Sequence, residues 1–118
     1  MSEHLETGKK GEELAVDWLT KNGDQILAQN WRHSYYEVDI ITIRRGILCF
    51  IEVKTRKSLK YGYPEEAVTA GKIRNMMESG AAYLELHPEY IRVQYDILSI
   101  FLYANGEAEY FLLEDLSC

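Results

Sequence analysis

Residues 36–56 constrain this chain most, because their alternation of apolar and polar side chains predicts two strands joined at Arg44-Arg45-Gly46. The apolar positions predict burial in a sheet, and they are Val38, Ile40, Cys49, Ile51 and Val53. Both strands also contain charged residues, and burying a charge without a partner has a high free-energy cost. The hairpin is therefore expected to bind something at its charged positions.

Those charged positions fall on shared faces. Side chains two residues apart in a strand point to the same side of a sheet, so Glu37 and Asp39 share one face of the first strand. Glu52 and Lys54 share one face of the second strand for the same reason. If the register sets the strands side by side there, Asp39 and Glu52 bring two carboxylates together. We interpret this pattern as a site for a divalent metal ion that acts on a phosphodiester.

An acid, one intervening residue and a lysine suit that chemistry. Mg²⁺, or Mn²⁺ in its place, prefers carboxylate oxygens, a carbonyl and retained waters, so Asp39, Glu52 and the backbone carbonyl of Val53 are candidate metal ligands. Lys54 would orient or help deprotonate the attacking water and neutralise developing charge. The alternative is a structural salt bridge of Lys54 with Asp39 or Glu52. Glu37 is assigned a supporting or a surface role.

A further candidate ligand and catalytic residue, Glu12, lies on a helix predicted over residues 7–22. Apolar residues follow Glu12 by three, four and seven positions, so Glu12 shares their helix face. That face is predicted to pack on the sheet, whereas Glu13 and Asp17 are predicted to face solvent. The alternative is an acid that complements the helix macrodipole.

Basic residues gather beside the hairpin although the chain has a net charge of -6. Between residues 44 and 60 they are Arg44, Arg45, Lys54, Arg56, Lys57 and Lys60. Tyrosines interleave with them in the loop of residues 57–63, and this composition suits contact with a nucleic-acid backbone and its bases. We assign Arg56, Lys57, Lys60 and Lys72 to nucleic-acid binding. The alternative is a solvated loop, and the net charge argues against a globally basic binding surface.

The remaining patterns predict an α/β fold. They predict a strand at residues 25–31, a polar break at 32–34, a helix at 64–86 opened by Pro64, and strands at 90–103 and 108–113. The 118 residues are expected to form a single domain spanning residues 1–118. Its architecture is predicted to be a mixed sheet of about five strands flanked by helices. The role of Asp96, in the fourth predicted strand, stays open.

Compartment and partners follow from what the chain lacks. It has no run of about 18 apolar residues that would predict a membrane span, and its first residues have no apolar signal segment. The two cysteines, Cys49 and Cys118, make neither a disulfide framework nor a metal-ligand cluster. A cytoplasmic protein without a membrane partner is therefore expected.

Segments along nearly the whole chain resemble one family. They are G-E-E-L-A at residues 11–15, N-W-R at 30–32, E-V-D-I-I at 37–41, F-I-E-V-K-T-R at 50–56, G-Y-P-E-E-A-V at 62–68 followed by Lys72, and Y-D-I-L at 95–98. With them the chain resembles the bacterial UPF0102 family, also called the YraN family, of the restriction-endonuclease-like nuclease superfamily. The resemblance implies a restriction-endonuclease-like core with Asp39, Glu52 and Lys54 at the sheet edge, and Glu12 as the helix-borne carboxylate of related resolvase-type nucleases. Tyr36 departs from the glycine usual in the family, and an aromatic there would narrow the approach or offer a stacking surface.

The expected function is that of a Mg²⁺- or Mn²⁺-dependent endonuclease-like protein that acts on DNA phosphodiesters. One alternative is a module that binds nucleic acid without cleaving it. Another is a protein-interaction module that keeps the nuclease fold, with a homodimer contact on the apolar C-terminal hairpin that contains Tyr103, Tyr110 and Phe111.

Overall fold

The computed structural model of the protein describes residues 3–57 and 68–116, which form a five-stranded mixed sheet with one helix on each face. In chain order the elements are α1 (Glu3–Lys21), β1 (Gln25–His33), β2 (Tyr36–Arg44), β3 (Ile47–Arg56), α2 (Ala70–Leu86), β4 (Val93–Leu102) and β5 (Ala108–Leu113). The strands lie in the order β1-β2-β3-β4-β5, and β3 and β4 are the parallel pair. The α/β class and the flanked mixed sheet predicted from the sequence are confirmed.

Several element boundaries differ from the predicted ones, and β4 for example begins at Val93 rather than at residue 90. The helix α1 begins at Glu3 rather than at residue 7, and β1 runs through the predicted polar break because Arg32 and His33 still pair with β2. The predicted start of the second helix at Pro64 lies outside the described residues. The described helix begins at Ala70, because Thr69 has an extended backbone and its hydroxyl caps the Lys72 N–H at 3.1 Å.

Over residues 40–43 of β2 and along β3 and β4, successive residues pack on opposite faces, which makes two apolar layers. The α1 layer has a buried core of Ala15, Leu19, Ile40, Cys49, Ile51, Leu98, Ile100 and Leu102. The α2 layer has a buried core of Val38, Ile41, Leu48, Phe50, Tyr83 and Tyr95. Each layer also contains one tryptophan: Trp18 stacks on Tyr110 at 5.3 Å, and Trp31 meets the edge of Tyr83 at the same centroid distance.

Close approach of α2 to the sheet depends on Gly80. A Cβ at this position would lie 2.7 Å from Tyr95 Cε1 and 3.0 Å from Phe50 Cε2. Such distances are shorter than van der Waals contact, so only glycine allows the helix to rest directly on these two rings. Of the two helices that the structure describes, neither is long and apolar enough to cross a membrane.

Arg44, counted above among the basic residues beside the hairpin, is the centre of a buried ion-pair network. Its side chain is only 14% exposed. Its guanidinium donates to both oxygens of Asp24, at 2.7 and 2.9 Å, and to Asp96 at 3.1 Å and Glu114 at 2.7 Å. A count of basic residues along the chain could not reveal this, because the pairing acids come from distant segments.

The network also explains the role of Asp96, which the sequence left open. Burial raises the pKa of the Asp96 carboxyl, and the Asp115 N–H at 3.0 Å and the Arg44 guanidinium oppose that rise by favouring the charged form. Gln94 donates to the same carboxylate, and Thr42 donates to Asp24 at 2.8 Å. Asp96 is therefore a structural residue that joins β2, β4 and the segment after β5.

We expect Arg44→Met to lower the free energy of unfolding by about 3–5 kcal/mol, since it leaves two buried carboxylates without their cation. Urea denaturation at neutral pH measures this. The exposed neighbour Arg45 is the matched control, and Arg45→Met should change stability by no more than about 0.5 kcal/mol. Equal losses in the two variants would contradict the assignment of Arg44 to a buried network.

Candidate functional site

The site begins where β2 and β3 separate. Their paired register ends at Ile40 opposite Ile51. One residue further along, the Asp39 carboxylate accepts the backbone N–H of Val53 at 2.9 Å, in place of a carbonyl of β2. In a strand the N–H and C=O of one residue point towards the same neighbouring strand, so the Val53 carbonyl also points to the β2 side.

Asp39 is partly buried and lies near other acids. Its pKa is raised above the ordinary value, chiefly because burial disfavours the charged form, and also because of the charges of Glu52, Glu12 and Glu37. The hydrogen bond from Val53 opposes the rise. The charges of Glu52 and Glu12 thus both act on Asp39, and an added cation would relieve that repulsion.

Glu12 reaches this region because α1 approaches β3 closely at Gly11. A Cβ on Gly11 would lie 1.8 Å from Thr55 Oγ1, so a larger residue would push the helix away. Glu12 itself is half-buried and accepts a hydrogen bond from Asn30 Nδ2 at 3.3 Å. Its neighbour Glu13 is exposed, as the helical spacing predicts.

Asn30 is a site residue that the sequence reasoning did not select. It lies across from Asp39, between the paired positions 29–40 and 31–38, and its φ of 51° is in the left-handed region. Asparagine tolerates that backbone conformation better than most residues. The signal that could have identified it was its place in the N-W-R segment.

Two lysines contact one oxygen of Glu52. Lys72 Nζ lies 2.9 Å and Lys54 Nζ 3.4 Å from Glu52 Oε1. Burial and the neighbouring Lys54 ammonium lower the pKa of Lys72, while Glu52 opposes that effect. The salt bridge between Lys54 and Glu52, considered from the sequence as the alternative to a catalytic role, is therefore present, and Lys72 joins it from α2.

A cleft of about 790 Å³ opens over Asp39 and Glu52, between the sheet and the first turns of α2. Tyr35 and Tyr36 also line it, and Tyr35 is 98% exposed. Glu37 lines the cleft as well, but it is exposed and pairs with Arg32 at 3.5 Å, which agrees with a surface role.

The predicted nucleic-acid-binding residues lie in different surroundings. Lys72 lines the cleft, Arg56 is half-buried near the end of β3, and Lys57 is exposed directly after that strand. Lys60 and most of its loop lie outside the described residues. Their assignment to nucleic-acid binding stays a prediction.

The donor set fits a hard divalent cation that keeps part of its water shell. Among residues 3–57 and 68–116, no group of three or more His, Cys, Asp or Glu side chains is arranged as a metal site. Magnesium is commonly held by one or two carboxylates together with waters and substrate phosphates. Asp39 and Glu52 supply that number of carboxylates and line the cleft, the Val53 carbonyl points to the β2 side, and the charge of Glu12 acts on Asp39 from α1.

Comparison with known sequences gives one consistent match. The model of the family described as "Uncharacterised protein family UPF0102" matches residues 11–100. A UPF0102 protein of Flavobacterium johnsoniae is 40% identical across 99% of this chain and 95% of its own length. The UPF0102 protein of Chlorobium phaeobacteroides is 40% identical across 93% and 90%, and that of Rhodococcus opacus is 41% identical across 86% and 87%. The family resemblance inferred from the sequence segments is thereby confirmed.

We expect Asp39→Asn to raise the free energy of unfolding of the metal-free protein at neutral pH. The raised pKa means that, above pH 3.8, the folded state binds more protons than the unfolded state, so ionisation of Asp39 lowers stability as the pH rises through that window. Asparagine is uncharged and keeps an oxygen for the Val53 N–H.

Urea denaturation with a chelator present, at neutral pH and again at or below pH 3.8, measures this difference. The gain in the free energy of unfolding of Asp39→Asn over the wild type should disappear at the lower pH. The exposed control Glu13→Gln should show no comparable gain at neutral pH. A variant less stable than the wild type at neutral pH would contradict the expected cost of the ionised carboxylate.

Proposed function

The chain belongs to the uncharacterised protein family UPF0102, and from that premise we propose that it is a metal-dependent nuclease that acts on DNA phosphodiesters at the Asp39–Glu52 cleft. The observation that supports this most is the acidic environment of Asp39 beside a lysine-paired Glu52. A half-buried group of like charges reduces stability in the free protein. Such an arrangement is typical of sites that bind a cation during function.

Asp39 and Glu52 would hold Mg²⁺ or Mn²⁺, with the Val53 carbonyl and Glu12 as further oxygen donors. The bound ion would polarise a phosphoryl oxygen and lower the pKa of an attacking water. Lys54, half-buried on the same strand face as Glu52, would neutralise charge that develops on the phosphate. The N–H of Val53 fixes the orientation of the Asp39 carboxylate towards the gap between the strands.

Basic and aromatic side chains near the cleft support a nucleic-acid strand as its ligand. Arg56 and Lys57 lie two and three residues after Lys54, so their charges would lie beside a bound backbone. Tyr35 presents an almost fully exposed ring at the same opening, which would offer a stacking surface to an unpaired base. The superfamily relation to restriction-endonuclease-like nucleases is part of this proposal.

Binding without cleavage is the second candidate, and one contact favours it. Glu52 Oε1 is already engaged by both Lys54 and Lys72, as in a structural ion pair. A protein-interaction role has weaker support. On the C-terminal hairpin Tyr103 and Phe111 are each 42% exposed, but Tyr110 is half-buried against Trp18.

Calorimetric titration of the full chain should detect Mn²⁺ or Mg²⁺ binding that Asp39→Ala abolishes, because that variant removes the better-oriented carboxylate. Glu13→Ala is the matched control, since it removes an exposed acid beside Glu12. Equal metal binding by the wild type and Asp39→Ala would refute the assignment of the metal ligands.

Lys54→Ala should lower the rate of DNA cleavage at least about 100-fold while leaving DNA binding in place, since it removes transition-state charge stabilisation. The assay compares linear, nicked and branched DNA with a divalent metal, and Arg45→Ala, at the opposite end of β3, serves as the control. Binding of all three substrates by the wild type without any cleavage would favour the second candidate. A failure to bind any of them at low salt would contradict both.

A further inference from the structure

The Glu52 carboxylate is paired with two ammonium groups rather than one. The ammonium groups of Lys72 and Lys54 lie 2.9 and 3.4 Å from the same Oε1 atom. If Glu52 is a metal ligand, a divalent cation bound there would stand within a few ångströms of both ammonium groups. Repulsion between charges of the same sign at such distances is strong inside a partly buried site, so at least one lysine must move.

The two lysines differ in how freely they can leave. Lys54 lies on β3 itself, two residues from Glu52, and its strand position is held by pairing with Ser99 of β4. Lys72 comes from the first turn of α2, and it lines the open cleft over Glu52. Its flexible four-carbon stem allows the ammonium group to turn without any backbone movement.

We propose that Lys72 is an exchangeable counter-cation of Glu52. Its ammonium group holds the carboxylate in the free protein, leaves when a divalent cation binds, and then pairs with a phosphate of the nucleic acid in the cleft. This inference rests on the proposed function, because it takes Glu52 as a metal ligand and the cleft as the phosphate site.

Such an exchange couples the binding of the metal ion to the binding of the nucleic acid. In the free protein Lys72 opposes metal binding, because the cation must displace an ammonium group that is already paired. A phosphate in the cleft offers the displaced ammonium group a new partner, so nucleic acid favours metal binding, and by reciprocity the metal favours nucleic acid. A salt bridge with only a structural role would add nothing to the coupling that the metal–phosphate contact itself produces.

The Lys72→Met variant is suited to test this exchange because it does not leave Glu52 unpaired. Lys54 remains within 3.4 Å of the same oxygen. Arg74 is the matched control, since it is an exposed cation two residues further along the same helix. Lys72→Gln is a second variant for the case that methionine disturbs α2, and thermal unfolding identifies a variant that has not folded.

The experiment titrates Mn²⁺ into the full-length wild type, Lys72→Met and Arg74→Met by calorimetry, first alone and then with a phosphorothioate-protected DNA duplex. We expect Lys72→Met to bind Mn²⁺ at least about fivefold more tightly than the wild type in the absence of DNA. Arg74→Met should match the wild type. With DNA present, the wild type and Arg74→Met should bind Mn²⁺ more tightly than without it, and Lys72→Met should show a clearly smaller gain from DNA, because only the part of the coupling that passes through Lys72 is lost.

The outcomes separate this inference from the proposed function. Mn²⁺ binding that Asp39→Ala removes but that Lys72→Met and Lys72→Gln leave unchanged would overturn the exchange and leave the metal site standing. An equal effect of Lys72→Met and Arg74→Met would also overturn it, since general charge would then be the cause. Absence of any Mn²⁺ binding that depends on Asp39 would instead overturn the metal site itself, and the exchange with it.

Discussion

The pairing of β3 is the constraint on which the rest of the structure depends. This strand is antiparallel to β2 and parallel to β4, and a parallel partner can be reached only by a long crossover connection. The connection contains α2, which rests on the face that bears Phe50 and Glu52. The crossover connection therefore places α2 over one of the two apolar layers of the core. It also brings Lys72 of that helix to Glu52 on β3.

The chain holds its buried carboxylates in two different ways. Asp24 and Asp96 lie on the α1 side of the sheet, where Arg44, neighbouring side chains and a backbone N–H supply several hydrogen bonds. Asp39, near the end of the β2–β3 pairing, receives one backbone N–H and faces the charges of other acids. The hydrogen bonds to Asp24 and Asp96 stabilise the folded structure. The Asp39 carboxylate has fewer hydrogen-bond partners, so its charge state depends on the ligand that binds to it.

The sequence predicted those parts of the fold and site that depend on local periodicity. The alternation of apolar and polar residues predicted the hairpin and the shared face of Glu52 and Lys54. Helical spacing predicted that Glu12 lies on the helix face that packs on the sheet. Local periodicity could not predict the point where β2 and β3 separate, because the register depends on which backbone segments pair across the sheet. Contacts between distant segments were likewise hidden, which is why neither the pairing of Arg44 with Asp24 and Asp96 nor the contact of Lys72 with Glu52 was predicted.

The two tryptophans give this fold a built-in pair of optical reporters. Trp18 stacks between α1 and β5, and Trp31 lies edge-on to Tyr83 of α2, so each indole belongs to the opposite side of the sheet. The chain contains no other tryptophan. Its intrinsic fluorescence is thus the sum of two emitters in separate layers, and replacing either one by phenylalanine would let each layer be followed alone. Coincident transitions from the two would mean that the layers melt as one cooperative unit.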